Sequence, residues 1–371
     1  MTNNLIHSPN TVLAKYLKDV IDVIQPRLKI NRPKRISFYV GTNINGAPHI
    51  GTYLIQALSF AIARKIRDKF HLPVDIVMGI HDNISYDSKE DSDGRIFHRT
   101  YHHALGSNKI KELIDSYYSS YFEELEKNTG VSYAVEIYSD KQATQDFRRH
   151  FLKTLTHADT IRWCTAPSSG FLQVRIPCSK CLYSERDAIR TKLIQRNEHS
   201  ATFECFCVEH GSYEAVIDLD NDTYIDLNTL YRNIVKEFSM TEQEDTLSIV
   251  IKGGDWTYST ETIDWALGVL GYTSVQVPMR IFLPQIVTTT GAKLSKSLIS
   301  EKHESVKDLP EWMIDMCCFA EDNPDYIDKL LRLAELMMID PRHIFRSYSY
   351  KEIERLLAPR SPEGEVGSPK K

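Results

Sequence analysis

The sequence predicts an α/β fold built on a parallel sheet, and three observations carry that prediction. First, an apolar run at 36–40 leads through a glycine-containing turn into a helical stripe at 53–70, then into a second apolar run at 74–80. Strand, turn, helix and strand in that order form a crossover, which joins parallel neighbours. Second, a similar unit starts at 247–252, where a strand-like run meets Gly253-Gly254-Asp255-Trp256 and a helix at 260–270 ended by Gly271. Third, the stretch between the two units changes character, to tyrosine- and charge-rich helices and then to alternation around paired cysteines, as an insertion splitting a sheet would.

Composition sets the outer bounds. At 371 residues, 42% hydrophobic and 26% charged, the chain has globular values and can bury a substantial core. It contains no apolar run of about 18 residues, so no membrane span and no membrane partner are expected. Met1-Thr2-Asn3-Asn4 is not a basic segment leading into an apolar one, so no secretory signal is expected and the predicted compartment is the cytoplasm. A net charge of -5 argues against a broadly basic surface but leaves room for local footprints at 27–35 and 186–196, although such stretches are more often solvated faces than binding sites.

Taken in order, residues 1–34 form an N-terminal helix, capped by Asn10 or Thr11, with Leu13, Tyr16, Leu17, Val20, Ile21 and Ile24 on its apolar face and Pro26 as its stop. Residues 35–106 form the first half of the sheet. Within it, Gly41-Thr42-Asn43-Ile44-Asn45-Gly46-Ala47-Pro48-His49-Ile50-Gly51-Thr52 is the strand-to-helix turn, and Leu54, Leu58, Ala61, Ile62 and Ile66 mark the helix that follows. Glycines there admit a ligand close to the backbone, the helix's free N–H groups favour an anion, and His49 adds a donor for a phosphate. The second strand ends in His81-Asp82-Asn83 at the same sheet edge. From 85 to 165 the pattern reads as long helices, clearest at 107–128, where Ile110, Leu113, Ile114, Tyr117, Tyr121 and Leu125 share one face.

Residues 107–225 form the insertion, and 173–218 within it carry the metal signal. Cys178-Ser179-Lys180-Cys181 and Cys205-Phe206-Cys207-Val208-Glu209-His210 are two knuckles with the spacing of a zinc ribbon. The expected ligands are Cys178, Cys181, Cys207 and His210, with Cys205 as the alternative to Cys207. A closed shell of four ligands leaves no position for a substrate, so the Zn²⁺ would be structural. Cys164, Cys317 and Cys318 read as small apolar residues. Residues 226–304 complete the sheet, 305–358 are helical, and 359–371, rich in Pro, Gly, Ser and charge, are expected to be disordered.

A second loop pairs with the opening turn. Lys293-Leu294-Ser295-Lys296-Ser297 places two lysines three residues apart among hydroxyls, beside Gly291. Such a loop can close over a polyphosphate and spread positive charge over oxygens that gain charge during displacement at phosphorus.

His-Ile-Gly-Thr after the first strand, Gly-Gly-Asp before a later helix and Lys-Leu-Ser-Lys-Ser on a late loop stand in the order found in class I aminoacyl-tRNA synthetases. From about 36 to 298 the sequence resembles that family, and within it most resembles the lysyl type. The zinc ribbon supports this. So do Tyr224-Ile225-Asp226-Leu227, beside that type's Trp-Arg-x-Asp-Trp, and Gly254-Asp255-Trp256, beside its Gly-Lys-Asp-His. An arginyl-like specificity is the alternative. Thr52 replaces the last histidine of His-Ile-Gly-His, and Leu294 replaces the methionine of Lys-Met-Ser-Lys-Ser.

The resemblance implies a Rossmann-like catalytic core that binds ATP, with Mg²⁺ on its phosphates, and forms an aminoacyl-adenylate. His49, Lys293 and Lys296 would be catalytic. Gly46, Pro48, Gly51, Thr52, Gly253, Asp255, Ser295 and Ser297 would hold ATP, with Asp255 at the ribose. Gly41 and Thr42 would meet the amino acid's ammonium and carboxylate, and Asp82 and Asp226 are candidates to pair with the cationic side chain of lysine. Fewer than about eighty residues follow Ser297, whereas an anticodon-reading domain usually needs more. The expected enzyme is therefore a truncated paralogue that passes its aminoacyl group to the acceptor end of tRNA or to another acceptor. A minimal tRNA synthetase, touching the acceptor stem through 186–196, and a catalytically silent tRNA- or partner-binding protein are the alternatives.

Overall fold

A computed structural model describes residues 20–358. Five parallel strands make the central sheet: β1 (Arg35–Asn43), β2 (Val74–His81), β3 (Ser132–Ile137), β4 (Thr246–Gly253) and β5 (Met279–Leu283). Their spatial order is β5-β4-β1-β2-β3. In register, Val40 of β1 lies between Ile251 of β4 and Met78 of β2. The chain winds outward from β1 through β2 to β3, then returns to the other side of β1 with β4 and β5. The winding reverses between β1 and β4, and in such sheets a crevice opens there beyond the carboxyl ends of the strands.

Alternation along the strands assigns the two faces. Ile36, Phe38 and Val40 of β1 and Leu247, Ile249 and Ile251 of β4 pack in the main core with helix α1 (Ile50–Phe70), whose Leu54, Leu58, Ala61, Ile62 and Ile66 are all buried. The opposite face of β1 and β4, with Tyr39 and Lys252, meets helix α2 (Thr229–Thr241). Helix α3 (Thr257–Val269) packs beside α2 in a second core. Helix α4 (Tyr326–Met338) lays Ile327, Leu330, Leu331, Ala334 and Met337 into the main core beside α1.

Four expectations are corrected. Pro26 opens the helix Gln25–Asn31 instead of stopping one, because its missing N–H costs nothing in a first turn. The stretch at 85–165 is not all helical: Ser85–Glu90 pairs with Ile96–Thr100, and β3 joins the central sheet as an edge strand inside the stretch read as insertion. The helix read at 107–128 is Tyr101–Ile114 and Ser120–Thr129 joined by a π-helical turn, Asp115–Ser119. In the C-terminal region a two-residue strand, Tyr348–Ser349, pairs in parallel with Ile286–Val287. The caps Asn10 and Thr11, the apolar Leu13, Tyr16 and Leu17, and the tail at 359–371 lie outside the described residues. Among the described residues no helix is long and apolar enough to cross a membrane.

Candidate functional site

The crevice between β1 and β4 is a cavity of about 400 Å³. It gathers residues from both ends of the sequence: Gly41, Thr42, His49, Gly51 and Thr52 from β1 and the following turn, Gly253 from the end of β4, and Lys293, Ser295, Lys296 and Ser297 from the late loop. Gly46 adopts a φ of 107°, a conformation that favours glycine, and lets the turn double back. A Cβ at Gly51 would lie 3.0 Å from the His49 ring, so the glycine lets the ring lie close over the start of α1.

His49 caps α1. Its Nδ1 accepts the Gly51 N–H at 3.1 Å, so that nitrogen carries no proton and Nε2–H is the donor of the neutral ring. Burial, with the Lys296 and Lys293 charges nearby, pushes its pKa down to about 3. Lys296 donates to the carbonyls of Asn43 (2.7 Å) and Gly46 (2.8 Å), docking the loop onto the turn 250 residues upstream. Burial lowers its pKa to about 8. Leu294, in the methionine position, is buried in the main core and anchors the loop with an apolar side chain.

Other expected residues sit differently. Pro48 and Gly46 do not line the cavity; Pro48 offers its carbonyl to Met316 N–H at 2.9 Å, and Gly46 its carbonyl to Lys296. Asp255 also lies off the cavity wall, its carboxylate 2.7 Å from the Lys293 ammonium. Asp82 and Asp226 are fully buried outside the cavity lining. Asp82 accepts Ser139 N–H at 3.1 Å and lies 3.5 Å from His102 Nδ1. Asp226 is paired with Arg175 at 2.8 Å, accepts from Asn83 at 2.8 Å and lies 3.4 Å from His98. Burial alone would raise its carboxyl, but Arg175 and His98 hold it below the usual carboxylate range. Protein groups engage both carboxylates at Oδ1 and Arg175 pairs with Asp226 Oδ2, while Asp82 Oδ2 is buried without a hydrogen-bond partner among the described residues; neither residue lines the cavity.

Several residues that the sequence did not single out do face the cavity. Gln56 and Gln285 present buried amide groups without a hydrogen-bond partner among the described residues, as does the side-chain oxygen of Asn45. Unpaired buried amides are costly and mark a place where a ligand can complete them. Tyr118, re-aimed by the π turn, reaches Thr42 Oγ1 at 3.2 Å and Lys296 Nζ at 3.4 Å. The remaining addition is charge: Arg232, Lys236 and Lys252 join Lys293 and Lys296 in the lining, in which no Asp or Glu stands among the described residues. A chain of net charge -5 thus encloses a cleft of one sign, a shape that concentrates anions.

Far from this cleft, Cys178, Cys181, Cys207 and His210 bring one ligand atom each within 4.8 Å of one another. Cys181 and Cys207 sulfurs are 3.3 Å apart, and His210 Nδ1 lies 3.6 Å from Cys178 and 3.5 Å from Cys207. Edges of a tetrahedral zinc site with Zn–S bonds near 2.3 Å are about 3.8 Å, so the four fit such an ion. Cys205 instead packs in the second core, two residues along Ser200–Cys207 from Cys207.

No family model matches the chain, and no curated protein matches it. Solved structures with some likeness include a putative arginyl tRNA synthetase from Campylobacter jejuni, with 10% identity, a TM-score of 0.39, and coverage of 92% of this chain and 72% of that one. A tyrosyl-tRNA synthetase from Archaeoglobus fulgidus, complexed with L-tyrosine, has 13% identity, a TM-score of 0.39, and coverage of 92% and 93%. A Mycobacterium tuberculosis methionyl-tRNA synthetase bound by methionyl-adenylate has 12% identity, a TM-score of 0.40, and coverage of 86% and 67%. Likenesses at this identity and TM-score assign neither a family nor an activity.

Proposed function

We propose that the chain activates an amino acid with ATP. An oxygen of the substrate carboxylate bonds to the α-phosphorus while the bond from that phosphorus to the bridging oxygen breaks, giving an aminoacyl-adenylate and pyrophosphate. The observation that carries this reading is the meeting of His49 and Lys296 at one end of a cleft on the β1–β4 reversal. A neutral Nε2–H donor and a movable ammonium can both follow charge onto phosphate oxygens as the displacement proceeds. No protein nucleophile is needed, since the substrate carboxylate is already ionised.

Among the described residues, the cleft lining offers no carboxylate to a metal. Mg²⁺, which such chemistry usually employs, would therefore be held by the phosphates and water, consistent with its reluctance to shed its waters. The cysteine–histidine cluster would hold Zn²⁺ as a structural ion, because all four positions are taken by protein. The acceptor of the aminoacyl group is the end of a tRNA or a smaller nucleophile. Lysine, which the sequence resemblance implies, finds no acidic side chain in the lining among the described residues, and Asp82 and Asp226 are engaged elsewhere.

ATP–pyrophosphate exchange tests the reading directly. His49→Ala or Lys296→Ala is expected to lower exchange by about a hundredfold or more, as removal of one preorganised oxyanion donor does elsewhere. Near-normal exchange in both variants, or none in the unaltered protein with any amino acid, would overturn it. Labelled amino acid recovered on tRNA would identify the acceptor.

A further inference from the structure

We infer that the half of the cleft beneath Tyr39 is a second anion pocket, built for the side-chain carboxylate of an acidic amino acid. The inference rests on the activation reading above and adds the substrate class to it.

Three cations define the pocket. Arg232, Lys236 and Lys252 are 7%, 8% and 7% exposed, and all three line the cleft. Lys252 has a carboxylate partner, Glu237 at 3.3 Å, which it shares with Arg280. Among the described residues, Arg232 and Lys236 make no ion pair. They are held by neutral acceptors: Arg232 donates to Asn83 Oδ1 at 2.6 Å and Lys236 to Asn233 Oδ1 at 2.8 Å, an oxygen that Lys252 also reaches at 3.2 Å. The Lys236 ammonium lies 3.9 Å from the centre of the Tyr39 ring. Amide oxygens and a ring face orient a cation without neutralising it, and each ammonium and guanidinium keeps further donors unused. Burying a cation without an anion is costly, and a protein gains from such an arrangement when a ligand supplies the missing charge. Burial, and after it the neighbouring Lys252, pushes Lys236 well below the usual ammonium range, in keeping with a site that lacks its anion.

The phosphate end has donors of its own. His49 starts α1 and Lys296 grips the carbonyls of Asn43 and Gly46, while Arg232 and Lys236 come from α2 on the opposite face of the sheet. Gly41 lies between the two ends, on the same face as Tyr39, and a Cβ there would come within 2.7 Å of the His81 ring. The His81 ring, which also lines the cleft, lies over that backbone, so a ligand reacting at the strand end reaches the ammonium groups past this imidazole. Of the carboxylates near these cations, Glu237 is taken by Lys252 with Arg280, Glu136 by Lys141, and Asp226, which acts on Arg232, by Arg175. A cationic side chain in this pocket would meet like charges, whereas a carboxylate would meet three donors.

The test is pyrophosphate exchange by the full chain over the standard amino acids, with thermal melting of the unliganded protein alongside. Exchange is expected with L-glutamate or L-aspartate. Lys236→Gln should lower kcat/KM for that amino acid by about tenfold or more, with little change in KM for ATP. Lys236→Met should melt higher than the parent without ligand, because it replaces a buried amine that lacks an anion with an apolar side chain. Selection of lysine, or of any amino acid without a side-chain carboxylate, would overturn this inference and leave the activation reading standing. So would loss of ATP binding in Lys236→Gln with amino-acid binding intact. If no amino acid supports exchange, the activation reading fails, and calorimetry with L-glutamate and L-aspartate decides the pocket. Binding that is lost in Lys236→Gln supports it, and no binding overturns it.

Discussion

Burial lowers the pKa of both His49 and Lys296, yet leaves the two in different charge states near neutral pH. The histidine is held neutral, at about 3, so it donates through Nε2 over the whole physiological range. The lysine, at about 8, is a cation below that pH and neutral above it. Since kcat/KM reports the free enzyme, its pH profile in pyrophosphate exchange should show an alkaline limb near 8 and no limb from His49 near the usual histidine range. Lys296→Arg, which cannot lose its charge in this range, should remove that limb. A limb that persists unchanged in that variant would show that another group titrates. The turn and loop residues were legible in the sequence because both are local motifs. The places of Asp82 and Asp226 were not, since only the fold reveals that Ser139 engages the first and Arg175 and Asn83 the second. Arg232, Asn233 and Lys236 did leave a trace: polar residues interrupting the apolar stripe Tyr231, Ile234, Val235 and Phe238 of a buried helix.

At the scale of elements, the two cysteine knuckles were readable from spacing, but the choice between Cys205 and Cys207 depended on which thiol turns away into the second core. The expectation is about one zinc per chain, kept in Cys205→Ser and lost in Cys207→Ser, by elemental analysis. A chelator should lower the melting temperature, because metal binding and folding of this segment are coupled. Elements with weak patterns were the ones missed. β3 is an edge strand with exposed Ser132 and Val135, so it has little of the apolar run that marks β1 or β4. The π turn at Asp115–Ser119 cannot be seen in a 3.6-residue period, yet it is what brings Tyr118 to Thr42 and Lys296.

At the scale of the whole molecule, the site depends on parts distant in sequence. The segment after the loop packs α4 against α1, pairs Tyr348–Ser349 with Ile286–Val287, and sends Met316 N–H to the Pro48 carbonyl in the turn before α1. Leu330→Ala, at a fully buried contact of α4, should therefore cost roughly 2–5 kcal/mol in denaturant unfolding. A smaller loss would mean that α4 packs more loosely than its burial implies. The parallel sheet was legible from two strand–turn–helix units, whereas its reversal between β1 and β4 emerges only from the strand order. The grip of Lys296 on Asn43 and Gly46 has one more consequence. Those acceptors are peptide carbonyls, so no side-chain replacement can delete them. On the proposed reading, an incoming phosphate would have to win the lysine from the protein's own main chain, which makes the turn a built-in competitor of that ligand.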